Sequence, residues 1–83
     1  MRSKITTSGR ITILLGKQQA ETGERTSPRK LAEKASVPKD FVYRLDAGTA
    51  RHVDLEALAR LCEALDCELQ DILVWEVEHG ESL

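Results

Sequence analysis

Four side chains within six positions, Lys39, Asp40, Tyr43 and Arg44, combine hydrogen-bond donors, one acceptor and an aromatic edge. Val42 and Leu45 lie three apart, as two core residues of a helix do, which turns Lys39, Asp40, Tyr43, Arg44 and Ala47 outward. Lys39 and Arg44 can donate to a guanine edge or to a phosphate. Asp40 can accept from a cytosine amine or hold Arg44 as an i,i+4 pair. Tyr43 can meet a thymine methyl or a phosphate. Such an arc suits the major groove of a double helix, and it equally describes a mixed-charge face in solvent. Three further cations flank it, Arg29, Lys30 and Arg51. They are candidate phosphate clamps, which add affinity without sequence information, or simply solvated charges. Phe41 reads as partly buried rather than as a base contact.

Other chemistries find less support. Cys62 falls on an apolar stripe and reads as a small buried hydrophobe. Cys67 is five residues on, a poor spacing for a disulfide along a helix. The only histidines, His52 and His79, fall in a loop and a tail, so no metal site is expected. No nucleophile–base pair, paired carboxylates or glycine-rich phosphate loop stands in a supporting position. The expectation is a non-enzyme without cofactor or metal. At 83 residues the chain has room for one small core. Its apolar fraction of 41% is that of a soluble globular domain, and three aromatics make the core aliphatic. No apolar run approaches a membrane span, and no secretory signal opens the chain. Two cysteines without an export signal point to reduced thiols in a cytoplasm.

Net charge is −2, but it is divided unevenly. Residues 1–51 carry eleven Lys/Arg against five acids (+6), and residues 52–83 carry one base against nine acids (−8). That polarity suits one face meeting a polyanion while the other stays away. An unevenly charged solvated surface gives a similar count.

Helices must position these residues. Met1–Gly9 reads as a loose arm to which Arg2, Lys4 and, just beyond, Arg10 lend positive charge. Ile11 and Ile13 alternate, which predicts a short strand over Arg10–Ile13. A helix follows from Leu14 to about Thr22, capped by Gly23. Ser27-Pro28 opens the next, which runs to about Ala35 with Leu31, Ala32 and Ala35 on one side. A third runs from Pro38 to about Ala47, and Gly48 stops it. After a loop over Thr49–Val53, Asp54 caps a stripe of Leu55, Leu58, Leu61, Cys62 and Leu65. The stripe stays in register to Leu69, Ile72 and Leu73, so periodicity alone allows one helix from Asp54 to Leu73. Val74–Val77 is a candidate strand to pair with Arg10–Ile13, and Glu78–Leu83 reads as a frayed acidic tail.

Two short helices with a tight link at Ala35–Val37 describe a helix-turn-helix. The segment LAEKASVPKDFVYRLDAG (Leu31–Gly48) resembles the core of the Cro/phage-repressor, or XRE, family. The matching positions are Leu31-Ala32 before the turn, Val37 after it, Val42 and Leu45 in the second helix, then Asp46 and Gly48. LEALARLCEALDCELQDIL (Leu55–Leu73) is similar to the family's closing helices, which implies a break near Asp66. The resemblance spans about Leu14–Trp75. Ser36 stands where the family usually has glycine. Pro28 replaces a glutamine that touches phosphate, and Pro38 replaces a capping serine.

The resemblance implies a mainly α fold, a compact bundle of about five short helices, with a two-stranded ribbon from the two ends as a candidate addition. The domain would cover 10–77, between a basic arm (1–9) and an acidic tail (78–83). The expected function is sequence-specific binding of double-stranded DNA by a transcriptional regulator acting as a homodimer. Helix 38–47 would enter the major groove, Lys39, Asp40, Tyr43 and Arg44 reading bases while Arg29, Lys30 and Arg51 grip phosphates. The rival reading is an antitoxin-like or other protein-interaction module. It would hold a protein partner through the acidic half and Trp75, with DNA binding secondary.

Overall fold

A computed structural model describes residues 2–78. In chain order these form β1 (Arg2–Thr6), α1 (Arg10–Thr22), α2 (Pro28–Ala35) and α3 (Lys39–Ala47). Then follow α4 (Leu55–Leu65), α5 (Leu69–Ile72) and β2 (Val74–Glu78). The mainly α bundle of five helices is as expected, and the two ends pair as an antiparallel ribbon.

The ribbon's first strand is not where alternation placed it. Arg10–Ile13 is the first turn of α1, and the strand is Arg2–Thr6, part of what reads from sequence as a loose arm. Ile11, Leu14 and Leu15 are buried while Ile13 is exposed, so the stripe at i, i+3 and i+4 outweighs a four-residue alternation. The helix start is also supplied from elsewhere. Gly9 at the N-cap brings no side chain, and the Asp46 carboxylate, from the end of α3, takes its place. It accepts from the Thr12 N–H at 3.0 Å and the Thr12 hydroxyl at 2.6 Å. Arg10 is likewise no arm residue: its Nε donates to the Asp71 carbonyl at 2.6 Å and ties α1 to α5. β2 includes Glu78, and the rest of the expected tail lies outside the described residues.

The remaining boundaries follow local chemistry. Ser27 accepts from the Lys30 N–H at the start of α2, with Pro28 in the first turn. The α2–α3 turn passes through Ser36 in the left-handed region (φ 57°), and the Val37 N–H reaches the Ala32 carbonyl at 3.0 Å. Asp54 caps α4, accepting from Glu56 and Ala57. Asp66, also left-handed (φ 52°), ends it, so the break expected near Asp66 is real. There the Cys67 N–H bonds the Cys62 carbonyl at 3.0 Å.

Every helix contributes to one core. Ile11, Leu31, Val42, Leu45, Leu58, Leu61 and Ile72 are almost wholly buried, and Phe41 and Leu73 pack against them. Ala32, 3% exposed, is the small residue that lets α2 approach its neighbours. Lateral order in the ribbon is Arg2↔Glu78, Ser3↔Val77, Lys4↔Glu76, Ile5↔Trp75 and Thr6↔Val74.

Candidate nucleic-acid interface

The turn at Ser36 sets α3 at an angle to α2, and the core fixes its roll. Val42 and Leu45 are fully buried, so the other side of α3 must face solvent. Lys39, Asp40, Tyr43 and Arg44 are all exposed there, as are Ala47 and Gly48. Lys39 stands one turn before Tyr43 and Asp40 one turn before Arg44, giving two adjacent rows. The ion pairs among the described residues are Lys4–Glu76 and Glu56–Arg60, so Arg44 is not tied to Asp40. Both keep their hydrogen-bonding capacity for a ligand. Phe41 is half-buried against the core, as expected.

Asp40 and Arg44 do not stand alone. A shallow depression is lined by Pro38, Asp40, Phe41 and Arg44 from the α3 side and by Thr49, Ala50, Arg51 and His52 from the loop that follows. Two of the expected cations, Arg44 and Arg51, therefore meet at one surface feature, though they come from different elements. His52 joins them. From sequence it is only a loop histidine with no metal site around it, and the signal that places it is its adjacency to Arg51 just after the helix stop at Gly48.

The other flank lies at the start of α2. Lys30 lines a groove with Arg25, Thr26, Ser27 and Pro28 on one side and Thr12, Leu15, Gly16 and Gln19 of α1 on the other. Arg25, in the loop between α1 and α2, is a further cation at this flank, and no local pattern in the sequence singles it out. Arg29 is exposed on the first turn of α2 and lines neither depression.

The end of α3 is held with unusual care. Asp46 caps α1 through its side chain, while its carbonyl accepts from the Gly9 N–H at 2.8 Å. The buried Thr7 hydroxyl donates to the Leu45 carbonyl at 2.5 Å. Gly48, left-handed at φ 77°, lies so close to the N-terminal segment that a Cβ there would stand 2.9 Å from the Ser8 Cβ. These contacts clamp the last turn of α3 to the segment joining β1 and α1. The outward side chains therefore project from a fixed frame.

The two cysteines stand apart from this surface. Both are free and half-buried, and the turn at Asp66 sets the Cys67 N–H on the Cys62 carbonyl at 3.0 Å. Burial pushes the Cys67 thiol up to about 12, reinforced by the neighbouring Cys62. Burial raises Cys62 as well. Among the described residues no group of three or more His, Cys, Asp or Glu could hold a metal ion, and no helix is long and apolar enough to cross a membrane.

Comparison with known proteins accords with this geometry. The family model of the Cro/C1-type helix-turn-helix DNA-binding domain matches residues 24–78, from just before α2 to the end of β2. No curated protein and no solved structure shows significant similarity to the chain.

Proposed function

From the Cro/C1-type helix-turn-helix DNA-binding family, to which this chain belongs, we infer a sequence-specific regulator of transcription whose α3 enters the major groove of double-stranded DNA. One observation carries the reading. Burial of Val42 and Leu45 leaves Lys39, Asp40, Tyr43 and Arg44 exposed together on the outward side of α3, and Arg51 flanks Arg44 across one depression. In this reading the four α3 residues contact base edges. Arg44 makes the bidentate contact to guanine that arginine geometry favours. Arg29, Lys30 and Arg51 neutralise phosphates on either side, and the acidic second half faces away from the polyanion.

The test separates reading from gripping. Selection of bound duplexes from a random pool should return an enriched motif, and binding should weaken with salt at a log–log slope of about −3 to −6. On the selected site, Arg44→Ala should cost about 1–3 kcal/mol, and much less on random duplex. Arg51→Ala should weaken both by similar factors and lower the salt slope by roughly one. No enriched motif would overturn the reading. So would a folded Arg44→Ala variant that loses equally on both duplexes.

A further inference from the structure

We propose that Cys62 and Cys67 are a modification site, a thiol pair that closes reversibly to a disulfide and staples the α4–α5 turn. Along a helix the spacing is poor: a five-residue step separates Cα atoms by about 8.5 Å, beyond the ~7 Å that a disulfide spans. The chain does not continue as a helix. Asp66 is left-handed (φ 52°), and the Cys67 N–H meets the Cys62 carbonyl at 3.0 Å. Adding the flanking covalent bonds to that contact keeps the two Cα atoms within about 7 Å, inside the range that a disulfide bridges.

Helices that end this way bring together the side chains of the two residues joined by that bond. The end of α2 uses the same turn. There Ser36 is left-handed, the Val37 N–H reaches the Ala32 carbonyl at 3.0 Å, and Ala32 and Val37 are both buried in the core. At the end of α4 the equivalent positions hold the chain's two cysteines, both free and only half-buried. A dissolved oxidant therefore reaches the pair. Beyond it the backbone is fixed by the Glu68 N–H, which donates to the Asp71 carboxylate at 2.8 Å. Closure then asks for side-chain rotation and leaves the backbone in place. Each thiol also bears on the acidity of the other.

The oxidant is a small soluble disulfide. One cysteine loses its proton, attacks a sulfur of that disulfide and releases the first half, which takes up the proton as a thiol. The second cysteine then loses its proton and attacks the protein-bound sulfur of the mixed disulfide, expelling the other half as a thiol. The pair gives up two electrons and two protons, and the oxidant leaves as two thiols. Excess thiol reverses both steps. Burial above all, with the carboxylates of Asp66, Glu68 and Asp71 behind it, keeps both cysteines protonated at neutral pH. The attacking species is the thiolate, so the pair rests reduced and closes slowly. Once closed, the bridge restricts the unfolded chain and raises resistance to unfolding.

The experiment uses the full chain, with oxidised glutathione as the oxidant and no DNA. The product should remain a 9.3 kDa monomer, lighter only by the two hydrogens lost, and carry no glutathione. Dithiothreitol should restore the starting mass. The bridged chain should melt roughly 5–15 °C above the reduced one. Cys62→Ala and Cys67→Ala should each stop at a mixed disulfide on the remaining thiol and show no such rise. A native chain that accumulates glutathione without closing, links to a second chain, or stays reduced while the urea-unfolded chain is oxidised overturns the proposal. The cysteines would then be small apolar packing residues. A bridged product that melts at or below the reduced chain overturns it as well. None of these outcomes depends on whether α3 reads bases.

Discussion

Replacing Gly48 by alanine should be among the most damaging single-methyl changes in the molecule, and a second glycine supplies the control. Gly23 and Gly48 both sit in the left-handed region, at φ 78° and 77°. A Cβ at Gly23 would meet nothing within 4 Å, whereas one at Gly48 would stand 2.9 Å from the Ser8 Cβ, 3.4 Å from its Cα and 3.4 Å from its Oγ. Gly23→Ala therefore reports the conformational cost alone, about 1–2 kcal/mol. Gly48→Ala carries the same cost plus an overlap well inside the ordinary carbon–carbon contact of about 3.5–4.0 Å, which should add about 1 kcal/mol or more. For a chain of this size each kcal/mol lowers the melting temperature by roughly 4–8 °C, so Gly48→Ala should fall roughly 10–20 °C below wild type. Urea unfolding of both variants, each also made with Ser8→Gly, isolates the contact. Ser8→Gly should recover about 1 kcal/mol in the Gly48→Ala chain and nothing in the Gly23→Ala chain. Equal losses in the two alanine variants, or no recovery, would refute the close approach of Gly48 to the N-terminal segment.

The remaining predictions concern the frame around the site. Asp46→Ala removes both bonds to Thr12 and should cost about 1–2 kcal/mol in chemical denaturation. A double-mutant cycle with Thr12→Ala, which removes the hydroxyl and keeps the N–H, should return a coupling of about 0.5–1.5 kcal/mol, and strict additivity would deny the hydroxyl–carboxylate bond. Ser36→Gly relieves a left-handed serine that is exposed, and should stabilise by about 0.5–1 kcal/mol with DNA affinity unchanged. Cys67 keeps its proton in the folded chain up to about 12, above its ordinary value of 9.0. The unfolded chain therefore releases that proton first, so this stabilisation is complete below about pH 9 and declines as pH rises toward 12. Melting temperatures from pH 8 to 11 should fall less steeply for Cys67→Ala than for wild type.

Local chemistry in the sequence determined the helix-turn-helix and its outward face. Ser27-Pro28, Gly48 and Asp54 mark helix ends through bonds made within a few residues, so these boundaries needed no tertiary information. Val42 and Leu45 at a spacing of three fixed which side of α3 turns inward, and with it the exposed set Lys39, Asp40, Tyr43 and Arg44. Where signals were short or long-range, only the tertiary structure decided. Four alternating residues at Arg10–Ile13 cannot separate strand from helix, and the cap that makes them helical comes from Asp46, thirty-four positions away. The true first strand, Arg2–Thr6, is polar apart from Ile5, and its partner lies at the other end of the chain. Asp66 gives the apolar stripe no interruption in periodicity, yet its left-handed turn ends α4 and leaves Leu69 49% exposed while Ile72 is buried. Pairing of Arg44 with Arg51 and His52 across one depression is likewise a product of packing. A side chain's type is local to the sequence, but which distant side chains share its surface is set by how the core closes.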